Sequence, residues 1–201
     1  MTDYSDRYNQ ESVLWIQFRE GEKNALGSLF ELYYDDLYAY GMKLTGNEEL
    51  VRDSIQDLFV KLWESRNRIK TVKQVKPYLI RAFRNLTIDQ SRLAEKVPIQ
   101  NVSISELPEL LNFEPEDFKT EAEFAQDQIS KLLNALNELP PRVREAVYLR
   151  YFTGLNYDEL ATVMNVTVQS ARNLIHQGIK SLKEELLVLI VISKYGFLFQ
   201  Q

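Results

Sequence analysis

Residues Leu139–Lys183 read LPPRVREAVYLRYFTGLNYDELATVMNVTVQSARNLIHQGIKSLK, and their pattern decides the fold. Tyr157–Met164 (YDELATVM) forms a short amphipathic helix. Asn165-Val166 makes a turn, because Asn is among the few non-glycine residues that tolerate the left-handed backbone a tight inter-helix turn needs. Small Ala161, four residues earlier, lets two helices approach closely, and Thr167 is placed to cap a second helix running through Lys183. The spacing predicts a helix-turn-helix, supported by a helix that starts at Pro140-Pro141 and stops at Thr153-Gly154. Such a unit lays its second helix in the DNA major groove. The exposed face of that helix would carry Gln169, Ser170, Arg172, Asn173, His176 and Lys180, with Val168, Ala171, Leu174, Ile175 and Leu182 turned inward. Arg, Asn and Gln are the side chains that make bidentate bonds to base edges.

Helical periodicity continues toward the N-terminus. Leu29, Tyr33, Leu37, Tyr40 and Leu44 follow steps of four and three. Thr45-Gly46 ends that helix, and Asn47 caps the next, whose first turn holds Glu48 and Glu49. Val51, Ile55, Leu58 and Leu62 form its stripe. A third helix starts near Pro77 and carries Leu79, Phe83, Leu86 and Gln90, and a shorter one lies near Ser12–Arg19. Val97–Glu123 lacks periodicity, contains Pro98, Pro108 and Pro115, and reads as an extended linker. Periodicity resumes at Phe124 with Ile129, Leu132, Leu133 and Leu136. The expected fold is all-α. A first helical domain spans 1–96, an acidic flexible linker 97–123, a helix-turn-helix domain 124–185 and an apolar tail 186–201.

Composition narrows the chemistry. The 201 residues include no Cys and one His, which excludes disulfides, thiolate metal sites and a multi-histidine centre. There is no phosphate-cradling glycine loop and no paired-carboxylate site, so neither an enzyme nor a cofactor is expected. The polar N-terminal segment lacks the pattern of a signal peptide. The longest apolar run, Leu186–Ile192, falls far short of the ~18 residues that span a bilayer, so the expected compartment is the cytoplasm. Net charge is −5, but it is unevenly spread. Lys61–Val97 holds ten Lys/Arg against three Asp/Glu, whereas Asn101–Ser130 holds eight Asp/Glu against one Lys. A basic block followed by an acidic one points to two partners, or to two parts of one larger machine.

Taken together, the two halves resemble the sigma-70 family of bacterial transcription initiation factors, and most closely the short extracytoplasmic-function (ECF) class. Gly21–Trp63 (GEKNALGSLFELYYDDLYAYGMKLTGNEELVRDSIQDLFVKLW) looks like regions 2.1 and 2.2. Val75–Arg92 (VKPYLIRAFRNLTIDQSR) looks like regions 2.3 and 2.4, and Leu136–Lys183 looks like region 4. The order and spacing of all three carry the resemblance. It implies two helical domains that bind core RNA polymerase, direct it to promoter DNA and help to open it. It also implies an anti-sigma factor as a further partner.

The resemblance assigns sites. Asp53, Gln56, Asp57, Phe59 and Trp63 match the family's D-x-x-Q-[DE]-x-F-x-x-x-W pattern and would bind polymerase, although Phe59 and Trp63 also fit as core. Tyr78, Arg81, Arg84, Asn85 and Asp89 would serve the −10 element. In that role Arg81 and Arg84 would neutralise phosphates, Tyr78 would stack on an unpaired base and Asn85 would read its edge. Asp89 fits equally as a structural ion-pair partner. ECF members often carry Trp where Tyr78 stands. The Gln169–Lys180 face would read the −35 element, on a helix less basic than many in the family. The acidic linker is either a solvated tether or a segment that enters the polymerase cleft. The tail either covers the second domain or meets a partner. Two other readings remain: a helix-turn-helix regulator that never touches polymerase, and a helical adaptor for protein contacts.

Overall fold

A computed structural model describes residues 4–69, 72, 74–94 and 132–183, with side chains from residue 10 onward and, in the third of these stretches, as far as 91. Every regular element among them is an α-helix. These are α1 (Tyr4–Glu20), α2 (Lys23–Thr45), α3 (Glu48–Ser65), α4 (Val75–Ala94), α5 (132–138), α6 (Pro141–Tyr151), α7 (Tyr157–Met164) and α8 (Val168–Ser181). The expected linker and the apolar tail lie outside the described residues. No described helix is long and apolar enough to cross a membrane.

The first four helices pack around the stripes expected of them. Leu29, Tyr33, Leu37, Tyr40 and Leu44 of α2 are fully buried, against Val51 and Ile55 of α3 and Leu79 and Phe83 of α4. Gly41 makes this packing possible: a Cβ there would lie 2.7 Å from Phe83 Cζ and 2.8 Å from Val51 Cγ1. Gly46, with φ 62°, ends α2, and the Asn47 side chain accepts from the Leu50 N–H to start α3. One expectation needs correcting. The first helix is longer than Ser12–Arg19, because Tyr4–Glu11 extend it without an apolar stripe to announce them. The third begins at Val75, near Pro77 as expected, and the missing N–H of Pro77 falls in the first turn, where no intrahelical bond is lost.

The later helices form the second unit. α8 lies against α6 at Gly178, where a Cβ would meet Val147 Cγ2 at 2.7 Å. Asn165 adopts φ 53°, the left-handed geometry expected of the turn, and the Val166 N–H donates back to the Ala161 carbonyl at 3.0 Å. The Thr167 hydroxyl accepts from the Ser170 N–H at 3.1 Å and caps α8. The two units are packed on one another, chiefly α7 on α4.

Candidate functional site

Three surfaces bear the residues that the sequence singles out. On α8, Gln169, Arg172, Asn173, His176 and Lys180 are exposed and Ser170 is half-buried, while Ala171 and Ile175, with Leu182 just past its end, are buried. The caps at Asn165 and Thr167 fix the helix axis, so one polar face is presented on a rigid support. Gln169 Nε2 donates to Asn173 Oδ1 at 3.0 Å, one turn along. The Arg172 guanidinium lies 5.5 Å from the Tyr157 ring centroid, and Arg150 lies over the same ring at 4.9 Å. Arg150 also donates to the Leu155 carbonyl at 2.6 Å, closing the loop into α7. Tyr157 therefore gives Arg172 a platform, held by a second arginine.

The second surface is α4. Tyr78, Arg81 and Asn85 line a cleft of about 850 Å³ whose opposite wall is the helix-turn-helix, including Thr162, Asn165 and Val168. Tyr78 is half-buried, edge-on to Trp15 at 5.3 Å, and burial raises the pKa of its hydroxyl. Arg81 Nη2 approaches Asn165 Oδ1 at 3.4 Å. Asp89 is exposed, farther along the helix. Arg84 departs from expectation. It is 3% exposed, and it donates through Nε to Glu145 Oε1 at 2.7 Å and through Nη2 to Oε2 at 3.0 Å. The Tyr40 hydroxyl donates to the same carboxylate at 2.7 Å. Burial works against the Arg84 charge, but the Glu145 carboxylate outweighs it and raises the guanidinium pKa. Burial, reinforced by that carboxylate, pushes the Tyr40 hydroxyl well up, so it remains a donor. In this arrangement Arg84 is not free to neutralise a phosphate.

The third surface is an open groove of about 800 Å³ between α2 and α3. Gln56 lies on it and is exposed, as is nearby Asp53. Phe59 is buried at its floor, edge-on to Phe30 at 5.1 Å, so the core reading of Phe59 holds. Trp63 is half-buried under the Arg66 guanidinium at 4.2 Å. Asp57 turns away from the groove: its Oδ2 accepts from Gln90 Nε2 at 2.7 Å, and Gln90 in turn accepts from Ser54. Its carboxylate ties α3 to α4.

Sequence reasoning overlooked several of these residues. Leu26, Phe30 and Tyr34 form a second stripe on α2, one position along from the core stripe, and line the groove with Val60. The four-residue spacing was there to find. Asn156 and Glu159 form a reciprocal capping box at the start of α7, announced by N-x-x-E. No local signal pointed to Glu145, whose role depends on another unit. Among the described residues no group of three or more His, Cys, Asp or Glu is placed to hold a metal ion.

Comparison with known proteins bears on the whole arrangement. The family model described as Sigma-70 region 2 matches residues 29–96, and that described as Sigma-70, region 4 matches 129–182. The chain is 22% identical over 178 residues to the ECF RNA polymerase sigma factor SigW of Bacillus subtilis, covering 85% of this chain and 93% of SigW. It is 27% identical over 160 residues to SigM of the same organism, covering 79% and 93%. Among solved structures, CnrH in complex with the cytosolic domain of CnrY has a similar fold, with TM-score 0.60 and 20% identity over 89% of this chain and 98% of CnrH. The sigma factor RpoE in complex with the anti-sigma factor NepR from Bartonella quintana gives 0.55, also at 20% identity, over 81% and 96%. With regions 2 and 4 in order on one all-helical chain, the protein belongs to the sigma-70 family, in the ECF class of factors that direct RNA polymerase to promoters.

Proposed function

We propose that this chain initiates transcription with the following division of labour. The α2–α3 groove binds core RNA polymerase, the exposed face of α8 reads the −35 element, and the α4 face of Tyr78, Arg81 and Asn85 captures the −10 strand as it opens. Gln56, which lines the groove, and exposed Asp53, one turn before it on α3, supply polar contacts to a helical partner carrying Arg. Asp89 lies on the same helix as the −10 face, whereas Asp57 and Arg84 act through the packing of the fold. The chain performs no catalysis of its own and works in the cytoplasm. Of two similar structures, one holds the cytosolic domain of CnrY and the other the anti-sigma factor NepR, and an anti-sigma partner is expected here.

The observation that carries this reading is the groove. Phe30 is 37% and Val60 48% exposed, in a groove that also holds the Gln56 amide and the Glu64 carboxylate. Large apolar side chains left open next to polar groups mark an interface. Phe30→Ala combined with Val60→Asp should weaken binding to purified core polymerase at least tenfold, measured by fluorescence anisotropy, and leave the melting temperature within a few degrees. Unchanged affinity would place the interface elsewhere.

A further inference from the structure

Four described arginines lie over aromatic rings. Arg52 lies over Tyr38 at 5.6 Å and Arg66 over Trp63 at 4.2 Å, while Arg150 and Arg172 share Tyr157 at 4.9 and 5.5 Å. Three of them have spent N–H groups elsewhere. Arg52 donates to Glu48 through Nε and Nη2, Arg66 to the Trp63 carbonyl and Arg150 to the Leu155 carbonyl. Arg172 differs. Among the described residues its guanidinium has the Tyr157 ring and no hydrogen-bond or ion-pair partner. The ring itself is fixed. Tyr157 opens α7, where the reciprocal Asn156–Glu159 box sets the first turn. It packs half-buried on the core, and Arg150, tied to the loop at Leu155, holds it from the side of α6.

A contact between a cation and a π-face uses none of the cation's N–H groups. A carboxylate in the ring's place would fill the guanidinium fork and cancel its charge. With no partner at all, the side chain would lose its rotamer freedom at the moment it bound a base. Resting on a ring avoids both costs. Base readout depends on the direction of the fork, because guanine O6 and N7 accept two parallel bonds. A phosphate contact tolerates many approaches and carries no sequence information. Restraint of Arg172 therefore favours the base edge over the backbone.

We propose that Tyr157 is a positioning residue that sets base discrimination at the −35 element, by holding Arg172 with its fork open toward a guanine. This rests on the reading of α8 above, and the test separates the two. Holoenzyme assembled from purified core polymerase and the full chain is titrated with duplexes carrying the upstream motif recovered from genomic DNA, and with each single-base-pair replacement of it. Arg172→Ala should abolish the preference for one G·C pair. Tyr157→Leu should cut that preference about two- to fivefold and leave affinity for duplexes already replaced at that pair unchanged. Tyr157→Phe, which keeps the ring, should keep the preference. Adding Tyr157→Leu to Arg172→Ala should cost nothing further, because the ring acts through the guanidinium. In the free chain, 15N relaxation should show the Arg172 Nε–H more mobile in Tyr157→Leu and unaltered in Tyr157→Phe. Tyr157→Met serves if Tyr157→Leu fails to fold. Unaltered Nε–H mobility in a folded Tyr157→Leu would overturn the platform, and this measurement needs neither polymerase nor promoter. Full preference in Tyr157→Leu, with none in Arg172→Ala, would overturn the positioning role and leave the α8 reading standing. An equal loss across all sequences in Tyr157→Leu and Tyr157→Phe would make the hydroxyl a phosphate contact and overturn it too. Full preference in Arg172→Ala would remove the α8 reading, and the proposal with it.

Discussion

Arg172 and Asp57 show how one side chain's surroundings decide its role. Arg172 is exposed on α8 and rests over Tyr157, so its guanidinium is partly ordered before any base arrives. A good bidentate contact to a base carries roughly 1–3 kcal/mol of discrimination. Arg172→Ala should therefore weaken −35 binding by the polymerase complex about tenfold and leave thermal stability unchanged. A footprint that keeps its −35 protection would exclude the contact. Asp57 predicts the opposite split. Its charge accepts from Gln90 across the α3–α4 seam, and such a bond contributes roughly 1.5–3 kcal/mol, with the lower end apt for a half-buried group. Asp57→Ala should lower the melting temperature, while Gln56→Ala should lower polymerase affinity and spare stability. If the two exchanged these effects, Asp57 would be the contact and Gln56 the support. The motif D-x-x-Q-D showed that these residues lie one turn apart. It did not show which of them a neighbouring helix had already engaged.

Elements were the most legible level of this sequence, because caps and turns are local. Asn165, Thr167, Asn47 and Gly46 sit where their chemistry puts them. The length of α1 was less legible, since its first turns are polar and no stripe marks their start. Glycines on a single helix give a sharper test. Gly27 and Gly41 both lie within α2, yet a Cβ at Gly27 meets nothing within 4 Å, whereas at Gly41 it meets Phe83 and Val51 below 3 Å. Gly27→Ala should stabilise the chain by up to about 1 kcal/mol through helix propensity. Gly41→Ala should destabilise it by about 1–3 kcal/mol, because Val51 is stiff and Phe83 is fully packed. Chemical denaturation of the two variants checks this, and equal shifts would mean that the helices can spread at no cost.

At the scale of the whole molecule, each unit was readable and their closure was not. Periodicity places Arg84 on one helix and Glu145 on another, 61 residues apart. Nothing in either helix says that the two side chains meet, because an ion pair between two packed units depends on how those units dock. For that reason Arg84 reads as a DNA contact from sequence and emerges as an interdomain one. Promoter function was legible from the order of motifs, and the surfaces proposed for polymerase, the −35 element and the −10 strand lie on different helices. The most direct test is transcription in vitro with purified core polymerase, this chain and fragmented genomic DNA. The account predicts discrete new transcripts whose upstream sequences share a two-part motif. Competent polymerase that yields none would contradict it, and would leave a DNA-binding regulator or a helical adaptor in its place.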